Sequence, residues 1–220
     1  AELIRPILRG RDIKRYAFGF ADLWLINTHN GLKEEKIPPI SIDDYPSIKA
    51  HLDQYYDKLA VRADKGITPY NLRNCAYMND LSKQKIIWGE ISDKPKFSID
   101  LEGKFCPEAT TFLMTGEHLK YLLCFLNSTF SEYFFAKYGT TTGMGTLRWK
   151  KYLIELLPVP VVSTEKQQEL ETLLDALLQS STDFDKNKYI HEINQKIYQY
   201  LDLSSEEISF IEEMVLKGAH

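Results

Sequence analysis

The sequence has few cysteines and no long apolar run. Its three cysteines, Cys75, Cys106 and Cys124, are widely separated and odd in number. We therefore expect neither a disulfide framework nor a zinc site. We expect free thiols in a reducing cytoplasm instead. The longest apolar candidate, residues 119–135, is interrupted by charged and polar side chains, and a membrane span needs roughly 18 uninterrupted apolar residues.

Recognisable catalytic motifs are also missing. The sequence contains no glycine loop for phosphates, no dinucleotide fingerprint and no nucleophile elbow. None of the five histidines is spaced as a metal ligand. Because the chain starts with Ala1 rather than methionine, we expect it to be part of a longer protein. A binding module without chemistry of its own fits these absences.

Charge is distributed unevenly along the chain. The formal net charge is −4, but residues 163–220 carry twelve acids and five bases, a net of −7. The first 162 residues therefore carry 22 bases and 19 acids, a net of +3. The net charge of the whole chain is thus negative because of an acidic C-terminal segment, although the rest of the chain is mildly basic. Such a charge asymmetry is typical of a nucleic-acid-binding protein, but a net charge of +3 is small for one.

Two basic clusters contain an aromatic residue each. The first, residues 8–16, contains Arg9, Arg11, Lys14 and Arg15 beside Tyr16, and the second, residues 147–152, contains Arg148, Lys150 and Lys151 beside Trp149. Arginine and lysine neutralise phosphates, and arginine also reads guanine. The alternative for the first cluster is a solvated turn. Trp149 is interpreted as a core anchor rather than a base-stacking platform.

A glycine- and threonine-rich segment, residues 139–146, precedes the second cluster. Three glycines and four threonines predict an irregular loop that could enter a DNA groove, with a surface linker as the alternative. The loop follows a wide apolar pattern that predicts one long helix, opened by residues 115–117 and continuing to Tyr133.

Shorter patterns predict the remaining elements. Apolar runs indicate strands at residues 4–8, 23–26, 85–91, 97–101 and 110–114. Pro46 starts a predicted helix that ends before Lys65. After the extended residues 155–161, three amphipathic helices are expected, and Ser204 with Glu207 forms a capping box for the last. We therefore predict a first domain at residues 1–160 and a helical docking segment at 161–220.

Two carboxylates close to a lysine suggest an alternative function. Asp100, Glu102 and Lys104 could hold Mg²⁺ in a nuclease, although Gly103 between them favours a simple turn. A third possibility is a non-DNA interaction module in which the acidic helices are the working surface.

An ordered set of motifs resembles a known family. The stretches are residues 4–13 (IRPILRGRDI), 68–73 (TPYNLR), 85–88 (KIIW) with Pro95 and Phe97, 122–128 (LLCFLNS), Arg148-Trp149 and 155–160 (ELLPVP). They resemble the C-terminal specificity domain of TaqI-like adenine-N6 DNA methyltransferases, which also ends type IIG restriction–modification enzymes and phage-defence methylases. No single stretch is specific, and Tyr70 stands where the family commonly has tryptophan.

The resemblance implies an α+β target recognition domain with a small mixed or antiparallel sheet, packed helices and a C-terminal helical segment. Its expected partners are double-stranded DNA and the methyltransferase or nuclease domains of the same parent chain. S-adenosylmethionine, and Mg²⁺ if the parent cleaves DNA, would bind upstream, because the Asn-Pro-Pro-Tyr motif is absent here. Phosphate contacts are expected from residues 9–15 and from Lys150 and Lys151. Base contacts are expected from Thr140, Thr141, Thr142 and Arg148, with Arg62 and Arg73 as further candidates.

Overall fold

The computed structural model describes residues 3–141 and 146–218, without the side chain of Thr141. The chain forms two compact units. Unit one takes residues 3–7, 22–82 and 104–106, and unit two takes the described parts of 8–21, 83–103 and 107–218. The division at residue 160 stays a prediction.

The strands of the described residues are short. They are β1 (Ile4–Leu8), β2 (Ile13–Lys14), β3 (Ala17–Phe18), β4 (Trp24–Ile26), β5 (Lys85–Gly89), β6 (Ile91–Ser92), β7 (Phe97–Asp100), β8 (Cys106–Pro107), β9 (Thr111–Met114), β10 (Thr140–Thr141) and β11 (Leu147–Arg148). The helices are α1 (Pro46–Asp53), α2 (Tyr56–Val61), α3 (Leu119–Leu126), α4 (Thr129–Tyr138), α5 (Lys151–Ile154), α6 (Thr164–Gln179), α7 (Asp183–Tyr200) and α8 (Ser205–Leu216). The predicted α+β class is confirmed.

Unit one is organised around the buried amide of Asn71. Its Nδ2 donates to the carbonyl of Ile40 at 2.9 Å, and its Oδ1 accepts from the Thr68 hydroxyl at 2.5 Å. Its main-chain oxygen accepts from the Arg62 guanidinium at 2.8 Å and from the Gly66 amide at 2.9 Å. The TPYNLR stretch is therefore a structural tie, since a buried amide must find partners for both of its ends.

The helix predicted from Pro46 to Lys65 is interrupted. It forms two helices, α1 and α2, with a break at residues 54 and 55. Next to this break, Asp53 accepts a hydrogen bond from the Tyr70 hydroxyl at 2.5 Å, and the rings of Tyr56 and Tyr70 pack 5.6 Å apart. These contacts with Tyr70 are tertiary, so helical periodicity in the sequence could not predict the break.

Unit two contains the main apolar core. Strand β5 pairs antiparallel with β7 on one side and with β9 on the other. Trp149 is 2% exposed and packs edge-on against Phe97 and Phe135, with ring centroids 5.7 and 4.8 Å away. The prediction that Trp149 anchors the core is confirmed.

The strand predicted at residues 85–91 is two strands in two sheets. The chain leaves β5 after Gly89, and β6 joins the sheet β10-β11-β6 instead. Glu90 lies between them: its amide donates to the Thr110 carbonyl at 3.0 Å, and its carbonyl accepts from the Trp149 amide at 2.7 Å. A β-pattern in sequence cannot distinguish these two sets of partners.

The single long helix predicted after residue 117 is also two helices. The chain bends at Asn127, whose side-chain amide donates to the Phe97 carbonyl (2.9 Å) and accepts from the Phe97 amide (3.0 Å). Ser128 then caps α4 by accepting from the Ser131 amide at 3.0 Å. The LNS stretch therefore ends one helix, starts the next and ties both to β7.

The glycine–threonine segment is partly regular, which corrects the prediction of an irregular loop. Thr140 and Thr141 pair antiparallel with Arg148 and Leu147. Thr142 lies outside the described residues.

The three predicted C-terminal helices are confirmed as α6, α7 and α8. Their first turns are capped by Ser163, Thr182 and Ser204, and the Ser204–Glu207 capping box is present. Helix α6 packs on α3, where Lys120 contacts Asp175 at 2.7 Å. Ring contact between Tyr133 and Phe210, with centroids 6.0 Å apart, joins α4 to α8. Among the described residues, no helix is long and apolar enough to cross a bilayer.

Candidate nucleic-acid interface

A cleft of about 600 Å³ on unit two brings distant parts of the chain together. Its lining comes from four separate segments: Gly10, Arg11 and Ile13; Gly89 to Asp93 with Lys96; Thr110; and Thr146. Arg11 and Thr146 belong to the two sequence regions predicted to contact DNA, and they are 135 positions apart. The fold therefore places both regions at one surface feature.

Two glycines set the shape of this cleft. A Cβ on Gly89 would lie 3.2 Å from the Cα of Gly10, and a Cβ on Gly10 would lie 3.3 Å from the Thr110 hydroxyl oxygen. Both distances are tighter than ordinary van der Waals contact. The turn at residues 10–12 can therefore approach β5 closely only because neither position has a side chain.

Arg9 is bound internally by Asp12. Its Nε and Nη2 donate to the two carboxylate oxygens at 2.9 and 2.7 Å, and its main-chain amide donates to Oδ2 at 3.0 Å. The hydrogen bonds from the Arg9 side chain hold the pKa of Asp12 below its ordinary value, against the opposing effect of burial. This forked pair shapes the turn that presents Arg11.

Arg15 is likewise used within the protein. Its Nε and Nη2 donate to the main-chain oxygen of Asn127 at 2.9 and 2.5 Å. It thereby satisfies the carbonyl left open where α3 ends.

Other predicted cations extend into solvent. Arg11, Lys14 and Lys151 are exposed, and Lys150 is partly exposed. Lys151 is 3.6 Å from Glu155, in an exposed pair of the kind that contributes little to stability. Among the described residues, Arg11, Lys14 and Lys150 have no side-chain hydrogen bond. These side chains can therefore reach an external anion without breaking an internal contact.

Arg148 lies in β11, the central strand of its small sheet. It pairs with Thr140 on one side and Ile91 on the other. Its Nη1 donates to Glu90 Oε1 at 2.9 Å, and the two side chains are 41% and 31% exposed. Glu90 also lines the cleft, so the pair stands at its edge.

The remaining candidates, Arg62 and Arg73, lie in unit one. Arg62 donates to the carbonyls of Pro69 and Asn71, so its guanidinium is bound within the unit. Arg73 is exposed and 3.4 Å from Asp64. The predicted site residues are thus divided between the two units.

The proposed nuclease carboxylates are not presented together at the surface. Asp100 is buried and accepts from the Nζ of Lys85, 2.8 Å away, which is itself fully buried. Glu102 is exposed. Within the part of the chain that the structure describes, no group of three potential metal ligands occurs. The Asp100–Lys85 pair is therefore a core ion pair, which is destabilising to break.

Sequence reasoning missed several residues of the cleft: Gly89, Glu90, Asp93, Lys96 and Thr110. A signal was present in Trp88-Gly89-Glu90, since a glycine inside a strand pattern often marks a close backbone approach. Asp93 and Lys96 form an exposed pair with 2.6 Å between Oδ1 and Nζ, and the resulting charge-assisted hydrogen bond lowers the pKa of Asp93.

The α+β fold presents a cleft that is lined by two cations, Arg11 and Lys96, and by two carboxylates, Glu90 and Asp93. The chain belongs to the family described as the TaqI-like C-terminal specificity domain, which matches residues 5–159. It is thus a DNA-sequence recognition domain of the restriction–modification type. No curated protein sequence matches the chain.

Two solved structures are similar to this chain, and the first of them supports the fold. The type IIL restriction–modification enzyme MmeI, whose structure was determined in complex with DNA, is 12% identical with a TM-score of 0.66, covering 99% of this chain and 31% of MmeI. The type IIG restriction endonuclease BpuSI is 13% identical with a TM-score of 0.45, covering 90% of this chain and 26% of that protein. The chain therefore spans about a third of MmeI.

Proposed function

We propose that this chain binds a short specific site in double-stranded DNA through the face of unit two that contains the cleft. The observation that carries the proposal is the convergence of Arg11 and Thr146 on one cleft with Arg148 at its edge. Phosphates are contacted by Arg11, Lys14, Lys150 and Lys151. Base edges are contacted from the segment that runs from Thr140 to Arg148.

The two kinds of contact have different energetic signatures. Phosphate contacts act on all sequences and release counterions, so they give binding a steep salt dependence. Base contacts distinguish one sequence from another. Truncating Arg148 to alanine should therefore cost about 1–3 kcal/mol on the preferred site and relax one base position.

The chain itself is proposed to be non-catalytic. It serves a parent protein of the cytoplasm that methylates adenine at N6 and also cleaves DNA if it has a nuclease domain. Its task is to hold the duplex while the target adenine is flipped toward that parent's methyltransferase domain. S-adenosylmethionine, and Mg²⁺ for cleavage, belong to those other domains. Helices α6–α8 are the segment proposed to dock on them.

The proposal is tested by selecting duplexes with a randomised centre on the full-length protein and sequencing the bound fraction. Anisotropy titrations of the selected duplex at several salt concentrations then give the salt slope. We expect an enriched sequence, and log Kd rising linearly with log salt at a slope of about 0.9 per phosphate contact. Binding without sequence enrichment, or without salt dependence, would contradict the proposal.

The catalytic assignment has a separate test. The 220-residue chain, incubated with DNA and labelled S-adenosylmethionine, should transfer no methyl group, whereas the full-length protein should transfer it. Incubation with plasmid and Mg²⁺ should leave the plasmid intact. Methyl transfer or cleavage by the 220-residue chain would overturn the non-catalytic assignment.

A further inference from the structure

At the edge of the cleft, the Arg148 guanidinium and the Glu90 carboxylate lie side by side as a hydrogen-bond donor and acceptor. Arg148 Nη1 and Glu90 Oε1 are 2.9 Å apart, and both side chains remain partly open to solvent. Among the described residues, Glu90 is the hydrogen-bond acceptor of the Arg148 side chain and it binds Nη1, so within this part of the chain Nε and Nη2 remain available. An arginine guanidinium beside a carboxylate is therefore partly open to solvent.

The main chain holds both partners firmly. Glu90 is bound through its amide to Thr110 and through its carbonyl to Trp149. Arg148 is paired on both sides within its sheet, and the next residue, Trp149, is anchored in the core. A recognition contact is most selective on such rigid elements, because little side-chain freedom is lost on binding.

We propose that Glu90 and Arg148 together read one G·C base pair in the major groove, a specificity role for Glu90 that rests on the proposed DNA-binding function. In that groove guanine presents two acceptors, N7 and O6, and its cytosine presents the N4 amino donor beside them. The arginine fork matches the two acceptors, and the neighbouring carboxylate matches the donor. An A·T pair presents its major-groove donors and acceptors in a different order, so the arginine and the carboxylate do not match it.

The charge of Glu90 argues for the same role. A carboxylate at a DNA-facing surface is repelled by the phosphates and lowers affinity for every sequence. The loss is offset only on a sequence where the carboxylate accepts a hydrogen bond from a base. A residue of this kind lowers non-specific binding and favours one base pair, which is how discrimination against wrong partners is built.

The experiment compares Glu90→Ala, Glu90→Gln and Arg148→Ala in the full-length protein, with Asp43→Asn as control. Asp43 forms an exposed ion pair with Lys49 in unit one, so this variant removes the same charge at a residue that does not line the cleft. Each protein selects from duplexes with a randomised centre. Anisotropy then measures binding to the selected duplex, to its A·T variant at the affected position and to an unrelated duplex.

We expect Glu90→Ala and Arg148→Ala to lose preference at the same G·C position, by about 5- to 150-fold for Arg148→Ala. Glu90→Ala should also bind the unrelated duplex more tightly than the wild type. Glu90→Gln keeps an oxygen acceptor and should retain the preference. The control should match the wild type, and thermal melting should show that all variants fold.

Three results would overturn the assignment. The first is that Glu90→Ala keeps the base preference that Arg148→Ala loses. The second is that the two variants lose base preference at different positions of the duplex. Arg148→Ala could instead weaken all duplexes equally with a smaller salt slope, which would identify a phosphate contact. By contrast, a wild-type protein that selects no sequence would refute the proposed function itself.

Discussion

The indole nitrogen of Trp88 donates a hydrogen bond to the main-chain oxygen of Trp149, 2.7 Å away. The bond is buried and joins β5 to the residue that follows Arg148. Trp149 in turn donates from its own indole to the Ser92 carbonyl at 3.1 Å. Two tryptophans thus connect the core of unit two to the small sheet that carries Arg148.

Replacing Trp88 with phenylalanine should test this connection. The substitution leaves the Trp149 carbonyl without its donor, so the free energy of unfolding should fall by about 1–3 kcal/mol. Preference for the selected duplex should fall as well, because Arg148 loses its rigid neighbour. Urea unfolding and anisotropy measure the two effects. Unchanged stability would show that the bond is not needed.

Gly89→Ala should disturb the cleft. The new methyl group would lie 3.2 Å from the Cα of Gly10, and overpacking of this kind typically costs about 1–3 kcal/mol. DNA affinity should fall because the turn carrying Arg11 moves away from β5. Gly19→Ala is the matched control, since a Cβ there meets no atom within 4 Å. Equal unfolding curves for both variants would contradict the close approach.

Asn127→Ala should be strongly destabilising. It removes both hydrogen bonds that the side chain makes with the main chain of Phe97 and leaves the buried Phe97 amide without an acceptor, whereas the Phe97 carbonyl still accepts from the Tyr16 amide. We expect a loss of about 2–5 kcal/mol in the free energy of unfolding. Asn187→Ala, at an exposed position of α7, provides the comparison. A loss no larger than that of the control would refute the role of Asn127.

The Arg9–Asp12 pair predicts a pH dependence of stability. Because the folded-state pKa of Asp12 is depressed below 3.8, its contribution is complete above that value and is lost as the pH falls through the folded pKa. Wild type should therefore exceed Asp12→Asn in stability at neutral pH, and the difference should shrink in acid below pH 3.8. Urea titrations over this range measure it. A difference that grows on acidification would reverse the sign and exclude this cause.

Arg11→Ala should weaken DNA binding without changing its selectivity. Loss of one phosphate contact lowers affinity for all duplexes and reduces the salt slope by about 1. Lys188→Ala on α7 removes an exposed charge remote in sequence from the cleft residues and should leave the slope unchanged. If Arg11→Ala instead altered the selected sequence, Arg11 would be a base contact.

Local patterns predicted much of the fold. Strands β1, β4, β7 and β9 and helices α6–α8 were expected close to their observed positions, because alternation, periodicity and capping residues are local properties. The errors share one cause. Residues 85–91 and the helix after residue 117 divide where Glu90 and Asn127 bind main-chain groups of distant segments.

The candidate site shows the same division. Sequence identified the basic residues near Arg11 and Arg148, because cations beside turn-forming residues are visible in any window of the chain. It could not distinguish Arg9 and Arg15, which bind Asp12 and Asn127, from Arg11, which extends outward. The residue type determines which groups a side chain can bind, but only the tertiary structure shows which side chains are already bound within the protein.

By itself, the sequence determined the family, the acidic helices and the presence of two cationic regions, since motifs, periodicity and charge need no distant partner. The tertiary structure decided that Gly10 and Arg11 meet Thr146 at one cleft, and that Glu90 is the partner of Arg148. The physical reason is that these contacts join residues far apart in the chain. They form only when β5, β6 and β11 are assembled on the buried core around Trp149.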